Sequence, residues 1–267
     1  MISASHISLD LGGRTLLNDI SFTAEPGHVT GLIGPNGAGK STLLAVLCGD
    51  LERRTGTVDI AGVDPASASS KELAQRRAVM LQDVSVSFEF LVRDVVAMGR
   101  RPWEGSEYEA RDQAIIDAAL SATDTSHLAG RDIATLSGGE RARVALARVL
   151  AQQTPVIMLD EPTAALDIKH QEQVLGLVQA IARAAGVAVV VVLHDLNAAA
   201  SYCDKIICLA NGTIAAMGSV DDVYTAETLS TIYGWPIEVT HNNGVISVHP
   251  KRRCHTPSAT EFISLLQ

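Results

Sequence analysis

The sequence predicts an α/β fold with a parallel sheet buried between helices, and three observations carry that prediction. Largely apolar runs at residues 29–33, 156–159 and 187–193 are each followed by a helix-prone segment, as expected of strands covered on both faces. Alternating apolar positions at Ile7, Leu9 and Leu11, again at Ile20, Phe22 and Ala24, and a further β-prone run at 56–61 describe short half-exposed strands, and so an antiparallel β subdomain beside the core. Finally, a glycine-rich turn directly follows the first apolar strand and opens a helix, a strand–turn–helix unit of α/β proteins.

Composition fits that class. The chain has 267 residues, 47% hydrophobic and 19% charged, enough apolar matter for a full core, which excludes disordered and fibrous classes. With 30 acidic against 21 basic residues the net charge is −9, which disfavours nucleic acid as a partner. The longest apolar stretch, 184–193, is about half of the roughly 20 residues a membrane span needs and reads as a buried strand. Met1 to Asp10 has neither a basic start nor a continuous apolar core, so no secretory signal and a cytoplasmic chain are expected. Cys48, Cys203, Cys208 and Cys254 form no CxxC pair and are expected to be buried or idle thiols.

Further along, the strand signal fades between about 84 and 135, while Ile115, Ile116, Ala119 and Leu120 recur at helical spacing, which predicts a helical subdomain insertion. Asn211-Gly212 lies between β-prone runs at 206–210 and 213–216, and Asn243-Gly244 between two more, so both predict hairpins. The tail after Asp221 holds a helix, the second hairpin and the basic run Lys251, Arg252, Arg253, which reads as a solvated face.

Three segments carry chemistry. In Gly34-Pro35-Asn36-Gly37-Ala38-Gly39-Lys40-Ser41, followed by Thr42, glycines let successive N–H groups converge on phosphate and the helix N-terminus adds positive potential. Lys40 supplies a point charge for the terminal phosphates and Ser41 a hydroxyl for Mg²⁺. At 156–161 an apolar strand ends in two acids, where parallel sheets place ligands: Asp160 suits the Mg²⁺ ion and Glu161 the water that attacks a γ-phosphate. Leu136-Ser137-Gly138-Gly139-Glu140 precedes a helical run from 141 to 152. Ser137 and Glu140 form a capping box that needs no ligand, yet two consecutive glycines favour close approach of a phosphate and hence a second anion site.

With the lone Gln82, the Ala165-Leu166-Asp167 stretch and His194, these segments stand in the order found in ATP-binding cassette (ABC) ATPases, which the chain resembles from Ile2 to about Ile232. No N-K-x-D guanine motif of the small GTPases is present. The resemblance implies a P-loop NTPase (RecA-like) core, with residues 1–235 as the ATPase domain, a helical subdomain at about 84–150, and 236–267 as a short hairpin and tail. It further implies a head-to-tail homodimer with two ATP molecules between the subunits. In that arrangement Lys40, Ser41, Thr42, Gln82, Asp160, Glu161 and His194 act from one side, with Ser41, Gln82 and Asp160 around Mg²⁺. Leu136 to Glu140 reach the ATP of the other subunit, and Asp167 couples the two sites. One departure is expected to matter: the aromatic on which such ATPases stack adenine falls at Leu11, so binding should rest mainly on phosphates, with loose base selectivity.

The run Val96-Ala97-Met98-Gly99-Arg100-Arg101-Pro102 resembles ATPases that drive uptake of haem, ferric siderophores and cobalamin, haem importers above all. Such a chain is implied to sit peripherally on the cytoplasmic face of the membrane, docked on two permease subunits, with an external substrate-binding protein as an indirect partner. The plain alternative for Arg100 and Arg101 is a basic helix end meeting its own dipole, stopped by Pro102.

Overall fold

In the computed structural model, which describes residues 1–81 and 90–252, the chain opens with strands β1 (Ile2–Leu11) and β2 (Arg14–Ala24), then β3 (Val29–Ile33) and helix α1 (Lys40–Cys48). Next come β4 (Thr55–Ile60), α2 (Ser70–Arg76), β5 (Arg77–Met80), α3 (Val92–Ala97), α4 (Asp112–Ala122) and α5 (Gly138–Ala151). The remainder is β6 (Val156–Asp160), α6 (Ile168–Ala185), β7 (Ala188–Val192), α7 (Leu196–Tyr202), β8 (Lys205–Ala210), β9 (Thr213–Ser219), α8 (Val220–Val223), α9 (Ala226–Tyr233), β10 (Ile237–Asn242) and β11 (Val245–Pro250). Gln82 and Cys254 lie outside the described residues.

The six-stranded sheet has the order β5-β6-β7-β3-β8-β9, parallel throughout except for the β8–β9 hairpin. Successive residues of its central strands serve opposite faces. Val189 and Val191 of β7 pack with α5, α6 and α7, whereas Ala188, Val190 and Val192 pack with α1 and the β layer. Ile157 and Leu159 of β6 likewise separate from Val156 and Met158. Both faces are therefore dry, which is why these strands read as unbroken apolar runs. Asp160 extends β6 by one residue beyond the expected run.

The smaller sheet is antiparallel, order β2-β1-β4, as its alternating pattern predicts. Ile20, Phe22 and Ala24 are buried in it, while Leu11 is 58% exposed at the β1–β2 turn. Register slips where His6 and Asp19 adopt left-handed backbone, at φ of 55° and 54°, as bulged strands do.

A third apolar cluster joins α3, α4 and α5 through Val92, Val96, Ile116, Leu120, Val144 and Ala147. The Met98–Trp103 segment beyond α3 is a 3₁₀ turn whose residues serve α5. Arg100, 2% exposed, donates from its Nη1 to the Ala151 carbonyl (2.8 Å) and from its Nε to Asp112 (2.7 Å), and the Trp103 indole donates to the Gln152 carbonyl (2.7 Å). The basic pair thus differs from the expectation of a helix meeting its own dipole: Arg100 closes the C-terminus of a different helix, and only Arg101 is exposed.

The sequence reading left one strand unassigned and one pairing unseen. β5 is only four residues long, and β8, expected as half of a hairpin, is also the parallel neighbour of β3. Both glycine turns do form hairpins: Asn211-Gly212 joins β8 to β9 and Asn243-Gly244 joins β10 to β11. The second is tied to α7, where the Asn197 amide accepts from the Val248 N–H (2.7 Å) and donates to its carbonyl (3.3 Å). Cys48, Cys203 and Cys208 are free and buried, and burial pushes their thiols up to about 12, 12 and 11. They are inert by that measure.

Candidate nucleotide site

The site is assembled at the carboxyl ends of β3, β6 and β7, neighbours in the sheet. The turn after β3 can lie so close to the sheet because Gly34 has no side chain: a Cβ there would come within 2.1 Å of the Leu209 carbonyl oxygen. Gly37 and Gly39 take φ of 77° and 102°, and Gly39 caps α1, conformations that glycine adopts without steric cost. The turn carries its lysine inward. Lys40 is 6% exposed, and its ammonium donates to the carbonyls of Gly34 (2.7 Å) and Pro35 (3.0 Å). Burial lowers its pKa, opposed by the carboxylates of Glu161 and Asp160.

Asp160 ends β6 at 6% exposure, and its Oδ1 is buried with no hydrogen-bond partner among the described residues. Burial raises its pKa, countered by the Ser41 hydroxyl against it, while the Glu161 charge adds to the rise. An orphaned buried carboxylate oxygen beside a hydroxyl is a hard, oxygen-only donor set, and it fits Mg²⁺, which is held by few protein ligands and completed by water and phosphate. No cluster of three or more His, Cys, Asp or Glu exists among the described residues, so a closed protein cage for a metal is not formed there.

Glu161 follows with a left-handed backbone, φ 51°, and its N–H donates to the Val192 carbonyl at 3.2 Å. Its side chain is 12% exposed and in hydrogen-bond contact with Nε2 of His194, which is 48% exposed at the end of β7. The loop bearing His194 is anchored behind: Asp195 caps α7, and the buried Tyr224 hydroxyl donates to the Leu196 carbonyl at 2.9 Å. The Tyr233 phenol is likewise raised in pKa by burial and lies against the Gly34 N–H.

Asn36, Gly37, Gly39, Lys40, Ser41, Thr42, Glu161 and His194 line one open cavity of 620 Å³, with Gly34, Pro35, Ala38 and Asp160 set outside its lining. Arg14 and Leu16 of β2 complete the wall. Sequence reasoning missed these two; their signal is the period-2 spacing after the Gly12-Gly13 turn, which puts both on one face. Leu11 does not line the cavity.

The remaining expected residues lie elsewhere. Leu136 to Glu140 and Asp167 are absent from that lining. Ser137 forms a complete capping box with Glu140: its Oγ accepts from the Glu140 N–H (3.3 Å), and its own N–H donates to the Glu140 carboxylate (2.7 Å). The Ser137 N–H and the Ser137 hydroxyl (2.8 Å), both donating to it, hold the Glu140 carboxyl below its ordinary range. The helix therefore starts three residues before the expected 141. A Cβ at Gly138 would meet nothing nearer than Ala165 Cβ at 3.6 Å, so packing within the chain does not demand a glycine there. Asp167 is exposed and caps α6, accepting from the His170 N–H (3.0 Å).

A nucleotide-phosphate turn after β3, a histidine after the adjoining strand β7 and an acid pair at the end of the next strand, β6, define a P-loop NTPase of the cassette type. The ABC transporter family model matches residues 17–164, more than half of the chain. The chain belongs to the ABC transporter family. It is 48% identical over 254 residues to the hemin import ATP-binding protein HmuV of Thermobifida fusca, covering 94% of this chain and 89% of that protein. It is 41% identical over 251 residues to the cobalamin import ATP-binding protein BtuD of Halobacterium salinarum, covering 93% of this chain and 63% of that longer protein. Among solved structures it superposes with a TM-score of 0.80, at 26% identity, on a chain from a transporter assigned to the metal-chelate type in an inward-facing conformation, covering 94% and 98% of the two chains. Among the described residues, no helix is long and apolar enough to cross a membrane.

Proposed function

We propose that this chain hydrolyses ATP as the nucleotide-binding subunit of an importer and that the transported substrate is haem. The observation that carries the ATPase reading is the convergence of Lys40, Glu161 and His194 on one cavity, with Asp160 buried beside Ser41 and one of its oxygens unpartnered among the described residues. The haem reading rests on the 48% identity to a hemin import protein across nearly the whole chain.

In this reading the P-loop N–H groups and Lys40 bind the phosphates, and Ser41 and Asp160 hold Mg²⁺, as would Gln82. When bound, Mg²⁺ neutralises charge developing on the phosphates. The Glu161 carboxylate orients and deprotonates the attacking water. His194, in contact with that carboxylate and facing the same cavity, is placed to hold it and to touch the γ-phosphate.

The exposed Ser137 and Gly138, the latter a glycine that packing within the chain does not require, support an arrangement in which Leu136 to Glu140 reach the nucleotide of a second copy and Asp167 lies at the joint. Closure of that homodimer on ATP and its release on hydrolysis would move two membrane permease subunits, with this chain peripheral on the cytoplasmic face and the external binding protein reached only through the permease. Residues 1–235 would form the ATPase domain, with its helical part at about 84–150, and residues 236–267 a short C-terminal hairpin and tail, the hairpin packing on α7 through Val248 and Asn197.

The test is iron-limited growth of a strain lacking this chain, supplied separately with haem or a ferric siderophore, and with cobalamin under cobalamin demand. Failure on haem alone is the expected result. Failure on cobalamin alone would replace haem with the alternative that the 41% relative supports, and failure on the siderophore alone would replace it likewise.

A further inference from the structure

A nucleotide held by its phosphates at Lys40 must place its base against something, and the cavity offers one wall outside the P-loop. That wall is the start of β2. Gly12 and Gly13, at φ of 60° and 76°, turn the chain so that Leu11 and Arg14 are direct cross-strand partners. Alternation then sets Leu16 on the same face as Arg14, and both line the cavity.

The wall is fixed relative to the phosphate turn. A Cβ at Gly212 would stand 2.4 Å from the Leu16 carbonyl oxygen, and one at Gly39 would stand 3.2 Å from it. Backbone hydrogen bonds join Asn18 to Gly212 (2.8 Å) and Gly212 to Ala38 (3.1 Å). Arg14 itself is exposed and makes no side-chain hydrogen bond or ion pair with any described residue. A planar guanidinium without a carboxylate partner, beside an apolar leucine and across a cavity from a buried ammonium, has the form of a stacking plate.

We propose that Arg14 is the base-recognising residue of this site, its guanidinium stacking on the nucleobase with Leu16 as the apolar support. This rests on the reading of the cavity as a nucleotide site and takes the place of the aromatic that the family sets at Leu11. Stacking of a cation on a base uses the ring face, which every base has, so it discriminates weakly among bases. ATP and GTP should bind within a few-fold of each other.

The experiment is calorimetric titration of the full chain with ADP and, separately, with inorganic pyrophosphate, which has the phosphates and no base. Arg14→Ala should weaken ADP about fivefold, the size of a partly exposed cation–π contact, and leave pyrophosphate unchanged. Arg14→Tyr, which restores a flat ring, should return ADP affinity to within about twofold of the parent. Equal losses for ADP and pyrophosphate would show that Arg14 acts on the phosphates and overturn the proposal, as would an unchanged ADP affinity in Arg14→Ala. A parent chain that binds neither probe would overturn the nucleotide reading itself, an outcome distinct from either of these.

Discussion

Glu161 stands where two demands meet: it must leave the sheet at the end of β6, and its carboxylate must face the cavity rather than solvent. Its left-handed backbone satisfies both, at a cost of about 1–3 kcal/mol that the N–H bond to Val192 and the contact with His194 help to offset. Strain at the residue proposed as general base argues for a role in positioning chemistry. Glu161→Gln should keep ATP binding and lower turnover by more than about a hundredfold, since loss of a general base is typically worth 10² to 10⁴; near-normal steady-state phosphate release would remove Glu161 from that role. Gly34 meets a stricter limit. Its φ is 142° and its would-be Cβ overlaps the Leu209 carbonyl, which is backbone of the neighbouring strand and cannot swing aside. Gly34→Ala is expected to destabilise the fold by at least about 2 kcal/mol, read as a lower denaturation midpoint in urea, and an unchanged midpoint would contradict the close approach.

At the scale of elements, α5 is the member most tightly governed at both ends. Its N-terminus is closed by the Ser137–Glu140 box and its C-terminus by Arg100 and Trp103. Arg100→Ala should cost roughly 3 kcal/mol, because it leaves Asp112 and the Ala151 carbonyl without their cation, whereas the exposed Arg101→Ala should leave the urea midpoint unmoved. Equal midpoints for the two variants would refute the distinction. The same pair shows where sequence reading reaches its limit. Features set by neighbours in the chain were legible: the buried strands from their apolar runs, the antiparallel layer from its alternation, both hairpins from Asn-Gly, the capping box from S-x-x-E. The mixed helical segment also declared its buried face at Ile116, Ala119 and Leu120. Features set by distant partners were not. Nothing local distinguishes Arg100 capping its own helix from Arg100 capping a helix that ends 51 residues later, and the Asn211-Gly212 turn conceals that β8 also pairs with β3. Of the cavity lining, the 36–42 turn residues, Glu161 and His194 were singled out in the sequence because the chemistry expected of them selects a residue type, whereas Arg14 and Leu16 enter through the way β2 docks on Gly39 and Gly212, which is a fact of packing.

For the molecule as a whole, the decisive feature is a separation: the cavity bearing Lys40, Glu161 and His194 does not include Leu136–Glu140, which offer their own exposed helix start elsewhere on the surface. On the reading proposed above, a single copy presents two half-sites with complementary character, one a phosphate cradle and the other a capped helix N-terminus whose exposed Gly138 leaves room for an anion. Such a surface would pair head to tail with itself, two such contacts closing a ring of two. If ATP is the element that joins them, slowing hydrolysis should hold the ring shut. Glu161→Gln should then shift from monomer to dimer on adding ATP, read by light scattering coupled to size-exclusion chromatography, and return to monomer when ATP is removed. Gly138→Arg in that background should abolish the shift, because a long side chain at this corner projects into whatever approaches it while meeting no neighbour of its own chain closer than 3.6 Å at the Cβ. Its thermal midpoint should match that of Glu161→Gln alone within a few degrees, which separates a blocked interface from a damaged fold. An ATP-dependent dimer that survives Gly138→Arg would mean that the copies meet through some other face, and the shared-site reading would fall with it.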